Sequence, residues 1–338
     1  MQKARVNVGL IGAGRLGTIY AEYLGTRIPQ ARLIAVADLV PERAAACAEK
    51  HGLSKCYHSH QELIADRDVD AFVVVATTTN HREIVVDAAR TGRPVFCEKP
   101  LALSLPEARE MKNAVSKAGG MFQMGFMRRF DKGYRAGKAK IESGAIGSPV
   151  VFRGSSRDPY RPSLEYLTPQ NSGGQILDMA IHDIDIARWY MGEIASVFAI
   201  GGVLAYPEVK QVGDTDNVIM LFTYRSGCLG EIDISRNGVY GYDIRAEVLG
   251  TSGTIKVGYL RENPILVMTA AGVTHDVVPY FPERFGQAYV DQLADFVSNV
   301  SDQKEPSITV DDGIEGLRVA VAATCSLKTN SQVYVKDF

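Results

Sequence analysis

The chain has 338 residues, of which 46% are hydrophobic and 22% charged, and its formal net charge is −2. This length is sufficient for two domains that each bury a hydrophobic core. A charge so close to zero argues against nucleic acid or an anionic membrane as the main partner.

The first half of the chain alternates short, β-branched apolar runs with helical patterns. Such alternation predicts an α/β domain with a parallel sheet and helices on both faces. We place this N-terminal domain at residues 1–126. The predicted strands are 6–12, 32–38, 71–77, 94–100 and 121–126, and the predicted helices are 17–27, 42–52, 81–92 and 105–117.

A glycine motif lies between the first predicted strand and the first predicted helix. Gly12, Gly14 and Gly17 have G-x-G-x-x-G spacing, and the second predicted strand ends at Asp38. In this context the glycines allow a tight turn, close approach of a pyrophosphate to the backbone, and close packing of the helix on the sheet. The pattern predicts a Rossmann domain whose first helix points its N-terminus at the phosphates of a dinucleotide.

Asp38 indicates which dinucleotide is bound. A carboxylate at the end of the second strand hydrogen-bonds a ribose diol and repels a 2′-phosphate. Arg43 could hold that phosphate instead, but its helical context favours a solvated helix face. We therefore predict NAD rather than NADP as the cofactor.

The pattern changes after about Phe126. A helix is predicted over 176–191, and longer strand patterns follow it, several of them joined by short turns that contain glycine. Such turns favour an antiparallel or mixed sheet, so we predict a C-terminal α+β domain over residues 127–338. Its predicted strands are 197–205, 217–227, 228–237, 243–258 and 265–272, and two further helices are predicted over 288–300 and 311–329.

The helix predicted over 176–191 is almost entirely apolar, yet Asp178, His182 and Asp185 interrupt it before it ends at Gly192. At about 100° per residue these three side chains fall within about 60° of one another around the helix axis. Leaving titratable groups unpaired in a core costs several kcal/mol each, so the stripe is interpreted as the wall of a cleft. The alternative is a buried polar network with a purely structural role.

Four motifs together resemble the glucose–fructose oxidoreductase / inositol dehydrogenase / rhizopine-catabolism (Gfo/Idh/MocA) family: GLIGAGRLGTIY, CEKPL, GFMRRFD and GGQILDMAIHDIDIARW. The last two in tandem resemble the inositol dehydrogenase branch, and the resemblance covers nearly the whole chain. It implies a Rossmann domain followed by an open-sheet domain for substrate binding and oligomerisation, with the active site between them. It also implies NAD-dependent oxidation of a ring hydroxyl of a cyclic polyol, first of all myo-inositol to 2-keto-myo-inositol.

The resemblance assigns roles to individual residues. Lys99, Asp178 and His182 are implied to form the catalytic group, and no metal is expected. The predicted substrate contacts are Lys99, Arg128, Asp158, Asp178, His182, Asp185 and Tyr242. The predicted cofactor contacts are Gly12, Gly14, Arg15, Leu16, Gly17, Asp38, Thr77, Asn80, His81, Glu98 and Lys99.

The implied roles agree with the chemistry of alcohol oxidation, in which a hydride leaves carbon while a base takes the hydroxyl proton. His182 suits the base because the ordinary pKa of histidine lies near neutrality. Asp178, one helical turn earlier, can orient the imidazole if the local geometry brings the two side chains together. Lys99 lies at the carboxyl end of a predicted parallel strand, where such sheets bind ligands, and its ammonium can stabilise a developing alkoxide.

Other interpretations stay open at this point. The substrate could be another inositol isomer or an aldose, the reaction could be NAD-dependent glycoside hydrolysis without net NADH, or the chain could be a non-catalytic NAD sensor. One of Arg128 and Arg129 is expected to be a structural ion-pair partner, and Asp183, about 100° from His182, is expected at the surface or at a domain contact. Tyr240 and Tyr242 are expected to share one face of a strand, so either could be a packing residue.

The strand predicted over 217–227 is apolar on both faces. Val218, Met220 and Phe222 alternate with Ile219 and Leu221. A strand of this kind has to be covered twice, by helices on one side and by another subunit on the other. We therefore predict a homodimer or homotetramer.

The remaining features concern the location of the protein. Its apolar runs are too short to span a bilayer, and its first residues contain no apolar signal-peptide region. Five cysteines, an odd number without a Cys-x-x-Cys pair, fit a reducing compartment better than a disulfide framework. These features predict a soluble, cytoplasmic protein.

Overall fold

The computed structural model of the protein describes residues 5–258 and 261–338. The chain divides into two units, one formed by residues up to Met127 with Tyr289–Leu317, the other by Arg128–Ala288 with Arg318–Phe338. The sequence prediction differs in one segment, because it assigns 289–317 to the second domain. Residues 1–4, where the sequence predicts no signal segment, lie outside the described residues. No helix within the described ranges combines the length and the apolarity that crossing a membrane requires.

The first unit contains a six-stranded, wholly parallel sheet with the strand order β3-β2-β1-β4-β5-β6. This confirms the predicted parallel sheet, although the edge strand β3 is not among the predicted strands. The chain reverses its direction across the sheet between β1 and β4, and ligands of such sheets bind at the carboxyl ends of the strands at this point. The strands are β1 (Val6–Ile11), β2 (Ala31–Ala37), β3 (Lys55–Tyr57), β4 (Ala71–Val74), β5 (Val95–Glu98) and β6 (Phe122–Gly125), and the helices are α1 (Arg15–Thr26), α2 (Pro41–His51), α3 (His60–Ala65), α4 (Thr78–Ala89) and α5 (Leu105–Ala118).

A late segment of the chain completes the core of this first unit. Phe296 packs on Phe96 of β5 with 5.7 Å between ring centroids, and Tyr289 packs on Tyr20 of α1 at 5.8 Å. The Gln123 side chain of β6 donates a hydrogen bond to the backbone oxygen of Gln292 at 3.2 Å. These contacts are the physical reason why 289–317 belongs to the first unit. Apolar periodicity predicts a helix in this region but does not say which sheet the helix covers.

The second unit contains a seven-stranded sheet with the order β12-β11-β7-β10-β9-β8-β15. Every neighbouring pair is antiparallel except β7 and β10, which confirms the prediction of a mainly antiparallel sheet. Its strands are β7 (Pro149–Arg157), β8 (Ile194–Gly202), β9 (Asn217–Tyr224), β10 (Leu229–Ser235), β11 (Asp243–Gly250), β12 (Thr254–Val257) and β15 (Val333–Tyr334), beside a small hairpin of β13 (Val267–Thr269) and β14 (Gly272–Thr274). The helices of this half are α6 (Lys132–Glu142), α7 (Leu164–Leu167), α8 (Pro169–Ser172) and α9 (Ile181–Met191), and α10 (Phe281–Asp302) and α11 (Val310–Thr329) each have residues in both units.

The central strand β7 is not predicted by the sequence. Its buried positions are Phe152, Gly154 and Ser156, so apolar alternation stops after one residue. Gly154 lies in close packing, because a Cβ there would lie 3.1 Å from the Phe152 ring and 3.2 Å from the Ile232 side chain. A buried strand whose inward-facing residues are small or polar has no hydrophobic periodicity, so its sequence pattern does not predict it.

The exposed face of the seven-stranded sheet includes an apolar patch on β8, β9 and β10, beside the charged residues of β7 and β11. The outer apolar face, as we name it, comprises Ile200, Ile219, Leu221 and Leu229, which are 48–54% exposed. The intervening residues of β9 are buried, so this strand is apolar on both faces as the sequence predicts. Exposed patches of this kind mark surfaces for association.

Candidate active site

The glycine loop after β1 has the shape that a dinucleotide requires. Gly12 has a φ of +102°, and a Cβ there would lie 2.7 Å from the backbone carbonyl of Val75. A Cβ on Gly17 would lie 2.0 Å from the carbonyl oxygen of Gly12. At Gly14, by contrast, a Cβ would meet no other atom of the described residues within 4 Å. Two glycines are thus required by packing, and the third leaves open space at the N-terminus of α1, which fits a pyrophosphate.

Asp38 lies directly after β2 and contacts this loop. Its Oδ2 accepts a hydrogen bond from the backbone nitrogen of Ala13 at 2.7 Å, and its Oδ1 accepts one from that of Val40 at 2.8 Å. These bonds hold the carboxylate beside the glycine loop, where the ribose of a dinucleotide lies in this fold. The position fits NAD, because a 2′-phosphate there would meet a negative charge.

Replacing Asp38 with alanine is expected to shift the ratio of kcat/KM values for NAD and NADP toward NADP by about ten-fold or more, roughly 1.4 kcal/mol. The variant loses the ribose hydrogen bond and the repulsion of a 2′-phosphate together. Steady-state kinetics with both cofactors measures the ratio. Asp70→Ala is the matched control, since Asp70 also accepts a backbone hydrogen bond, from Asn7 at 2.8 Å, at the opposite end of the sheet. An unchanged ratio in the Asp38 variant would mean that this carboxylate does not face the ribose.

The other predicted cofactor residues differ in their surroundings. Arg15 is exposed and Leu16 is half-buried in the first turn of α1. At the start of α4, Asn80 donates a side-chain hydrogen bond to the Thr77 hydroxyl at 3.1 Å. His81 is buried, with Nδ1 2.9 Å from the Pro100 carbonyl oxygen and Nε2 3.0 Å from that of Ala76. Both of its ring nitrogens thus face backbone carbonyls, and burial lowers its pKa below the ordinary value.

Glu98 lies at the end of β5 in a buried hydrogen-bond network. Its Oε1 accepts hydrogen bonds from the Tyr20 hydroxyl and, at 3.2 Å, from the Gln292 amide, and its Oε2 accepts one from the Lys99 backbone at 3.0 Å. Burial raises the pKa of Glu98 and raises that of Tyr20 well above its ordinary value. The carboxylate therefore anchors the end of the strand, and Lys99 follows it at the carboxyl edge of the sheet. Sequence reasoning misses Tyr20 and Gln292, which are 78 and 194 residues away from Glu98.

In the second unit, the helix predicted over 176–191 consists of two parts. A π-helical turn, Ile176–Ala180, precedes α9, and Gly192 ends the helix with a φ of +89°. Asp178 lies in the π turn, whereas His182 and Asp185 lie in α9. The wider turn means that a uniform angle of about 100° per residue does not apply between Asp178 and His182. Such turns occur frequently at functional sites.

Asp178 is held by two residues from other elements. Its Oδ1 accepts a hydrogen bond from the Tyr166 hydroxyl of α7 at 2.8 Å, and its Oδ2 accepts one from Arg236 Nη2 at 3.0 Å. Arg236, directly after β10, is fully buried, and His182 is 8% exposed. Sequence reasoning misses Tyr166 and Arg236, since neither belongs to the helix motif and only the fold brings them to Asp178.

Two ion pairs hold α9. Arg128 donates from Nη1 to Asp183 at 2.6 Å and from Nη2 to Ser156 of β7 at 3.1 Å. Arg129 binds both carboxylate oxygens of Asp185 at distances of 2.5 to 3.1 Å. Both arginines are thus ion-pair partners, where the sequence suggested one. Arg128 and Asp185, which the resemblance implies as substrate contacts, are thus each bound in an ion pair with another residue.

Asp183 is not at the surface. It is 2% exposed, accepts a hydrogen bond from the Ser156 hydroxyl at 2.6 Å, and has a pKa that burial raises. The prediction of a surface or domain-contact residue is therefore wrong. An angle of about 100° from His182 directs a side chain away from His182 but does not direct it to solvent, because β7 covers that side of the helix.

Asp158 lies near Arg236, and Tyr242 lies near Asp158. Asp158 follows β7, and its backbone nitrogen donates to the Ser235 oxygen at 2.9 Å. Tyr242 is buried against Tyr280, with ring centroids 5.4 Å apart, and burial together with the charge of Asp158 raises its pKa well above the ordinary value. Tyr240 is exposed and lies with Tyr242 in a loop before β11, so the expectation of a shared strand face is wrong.

Comparison with known proteins identifies both units. Residues 6–126 match the oxidoreductase family, NAD-binding Rossmann fold, and residues 138–336 match the C-terminal alpha/beta domain of the same family. A scyllo-inositol 2-dehydrogenase (NAD(+)) of Bacillus subtilis is 38% identical over 97% of this chain and 96% of its own length. A myo-inositol 2-dehydrogenase of Thermotoga maritima is 40% identical over 98% of this chain and 99% of its own.

Solved structures give the same result. A probable dehydrogenase from Thermotoga maritima, 40% identical, superposes with a TM-score of 0.94 over 98% of this chain and 99% of that one. A scyllo-inositol dehydrogenase from Lactobacillus casei with bound NAD(H) and scyllo-inositol, 31% identical, has a TM-score of 0.93 over the same fractions. The chain therefore belongs to the Gfo/Idh/MocA family of oxidoreductases, and its first unit is the NAD-binding Rossmann domain of that family.

Proposed function

We propose that this protein is an NAD-dependent dehydrogenase that oxidises a ring hydroxyl of an inositol, with myo-inositol to 2-keto-myo-inositol as the first reaction to test. The observation that carries the proposal is the full-length similarity to two dehydrogenases named for scyllo- and myo-inositol. A neighbouring structure that holds both NAD(H) and scyllo-inositol supports the same substrate class.

When bound, NAD⁺ supplies the hydride acceptor for this reaction. We assign His182 as the base that takes the proton of the substrate hydroxyl, because the ordinary pKa of histidine lies near neutrality. Asp178, four residues earlier, orients the imidazole and stabilises the imidazolium that forms. Lys99 of the first unit supplies an ammonium that stabilises negative charge developing on the substrate oxygen.

The substrate contacts implied by the resemblance divide into two groups. We propose that Asp158 binds substrate hydroxyl groups, since its half-buried carboxylate is an acceptor, and that Tyr242 forms part of the apolar wall behind them. For Arg128 and Asp185 we propose instead a structural role, because each is almost fully buried and bound in an ion pair within its own unit.

A panel of substrates tests the function. The purified protein is incubated with myo-, scyllo- or chiro-inositol or with glucose, each with NAD or NADP, and the reduced cofactor is followed by absorbance. NADH formation with an inositol supports the proposal. NADH formation with glucose alone would indicate that the substrate is an aldose and not an inositol. Cleavage of a glycoside without net NADH would indicate a hydrolase, and NAD binding without any turnover would indicate a regulator.

We propose that the outer apolar face joins copies of the chain. The expected state in light scattering at micromolar concentration is a dimer or tetramer, because water contact with this face is unfavourable. Leu221→Glu should shift the population to smaller species, whereas Leu204→Glu, at a 79% exposed leucine outside that face, should not. A monomeric wild-type protein would contradict the proposal. The cytoplasmic location stays a prediction from the sequence.

A further inference from the structure

Within the described residues, Arg236 is among the largest side chains that the fold buries completely. Its backbone nitrogen donates to the Asp216 oxygen at 2.9 Å, and its Nη2 donates to Asp178 at 3.0 Å. Its Nε and Nη1 are also buried, and within the described residues neither of them makes a hydrogen bond. Burying a cation with unfilled donors is unfavourable, and the nearby carboxylates are what offsets it.

Three carboxylates surround this guanidinium. Burial lowers the pKa of Arg236, but Asp178, Asp158 and Asp214 outweigh burial and raise it above the ordinary value. Asp214 is itself fixed, since it accepts a hydrogen bond from the backbone nitrogen of Gln175 at 2.9 Å, directly before the π turn. Asp178 is the carboxylate that Arg236 contacts directly, so the cation acts most strongly on it.

The π turn makes an external support for Asp178 necessary. In a regular helix the backbone sets the direction of each side chain, but Asp178 lies where the helical period changes. Arg236 and the Tyr166 hydroxyl each take a different oxygen of its carboxylate. A carboxylate held at both oxygens from two other elements has its orientation set by those elements.

We infer that Arg236 is a positioning residue for the proposed dehydrogenase: it fixes the orientation and the negative charge of Asp178, and through Asp178 it controls the His182 base. Arg236 contacts the carboxylate and not the reacting atoms. The inference rests on the proposed function, in which Asp178 and His182 act together. A merely structural Arg236 would instead only tie the π turn to the end of β10.

Two variants test separately the positive charge of Arg236 and the planar donor geometry of its guanidinium. They are Arg236→Met, which loses both, and Arg236→Lys, which loses only the geometry. Arg236→Met is expected to lower kcat by about ten-fold or more while KM for inositol and NAD stays within a few-fold. The acid limb of its kcat–pH profile should move to higher pH, because Asp178 loses its neighbouring cation and is protonated more easily. Arg236→Lys keeps the charge but not the planar donor geometry, so it should keep the acid limb and still lower kcat.

Two comparisons test whether Arg236 acts on turnover through Asp178. Asp158, Asp214, Tyr166 and His182, the other titratable groups beside the pair, also lose a neighbouring cation in Arg236→Met, so the moved acid limb is assigned to Asp178 only where the shift is absent in an Asp178→Asn background. In an Asp178→Asn background, Arg236→Met should lower kcat no further, because the group it acts through is already neutral. Arg284→Lys is the matched control, since Arg284 is also buried and binds the Asp131 carboxylate at 2.8 Å.

Two kinetic outcomes would overturn the inference. In one, Arg236→Met lowers only the melting temperature, as Arg284→Lys is expected to do, and keeps kcat and its pH profile. In the other, Arg236→Met lowers kcat equally in the wild-type and Asp178→Asn backgrounds, which would separate Arg236 from Asp178.

A measurement without turnover distinguishes failure of the inference from failure of the proposed function. If the wild type forms no NADH with any polyol, the proposed function fails, and the inference is tested by NMR titration of the six histidines in labelled protein. The His182 signal is assigned by its loss in His182→Gln. Loss of the Arg236 cation should raise the pKa of His182, and an unchanged His182 titration in Arg236→Met would overturn the inference.

Discussion

Replacing His182 with alanine is expected to lower turnover by about 10²–10⁴-fold, the usual effect of removing a positioned acid–base group. NADH affinity, measured by fluorescence titration, should stay within a few-fold, because the glycine loop and Asp38 belong to the first unit and are unchanged. The matched control is His275→Ala, at an exposed histidine of the same unit, which should leave both turnover and NADH affinity unchanged.

A purely structural role for the aspartate and histidine stripe predicts a different result. His182→Ala would then lower the melting temperature, while the folded fraction kept nearly full turnover. That outcome would mean that Asp178, His182 and Asp185 form a structural polar network in the core. The catalytic base would then be unassigned. Circular dichroism and turnover, measured on the same preparation, separate the two cases.

Replacing Arg128 with methionine is expected to lower the free energy of unfolding by about 3–5 kcal/mol, because it leaves the buried Asp183 carboxylate without its cation. Urea unfolding measures the change. In the pair Arg153–Glu247 the arginine side chain is 51% exposed, so Arg153→Met should lower the free energy by less than about 1 kcal/mol. The double variant Arg128→Met/Asp183→Asn should recover a large part of the loss, since no buried charge stays unpaired.

The same variant tests the substrate contact that the resemblance implies for Arg128. Wild-type stability together with a raised KM for inositol would mean that Arg128 binds substrate and that its ion pair contributes little to the fold. A variant that is both destabilised and normal in KM would confine Arg128 to holding α9.

The sequence was sufficient for the elements whose residues follow a regular hydrophobic period. The strands of the first sheet other than β3, the antiparallel ladder of β8, β9 and β10, and the glycine loop all have local patterns that depend on neighbouring residues alone, whereas the three-residue strand β3 is too short to show a hydrophobic period. Strand β7 was not predicted, because its inward positions hold Gly154 and Ser156 rather than apolar side chains. Helix α10 was predictable as a helix, but its packing on the first sheet depends on contacts far apart in sequence.

The candidate site shows the same division. Lys99, Asp178 and His182 stand in short motifs, so local sequence patterns are enough to single them out. Arg236 and Tyr166 contact Asp178 from 58 and 12 residues away, and no local pattern links them to it. The π turn could not be predicted from the sequence either. Ile176–Ala180 continues an ordinary helical pattern, and the change of period lies in the backbone conformation.

The return of Tyr289–Leu317 to the first unit has a consequence for synthesis on the ribosome. When Met127 has emerged, the rings of Tyr20 and Phe96 still lack Tyr289 and Phe296, which lie about 160 residues downstream. At about 5–20 residues per second this interval lasts on the order of ten to thirty seconds. During that time the surfaces of Tyr20 and Phe96 that Tyr289 and Phe296 cover in the folded protein stay uncovered, and exposed apolar surface of this kind promotes aggregation. The core of this unit is thus completed only after Tyr289 and Phe296 have emerged, although its sheet is translated first.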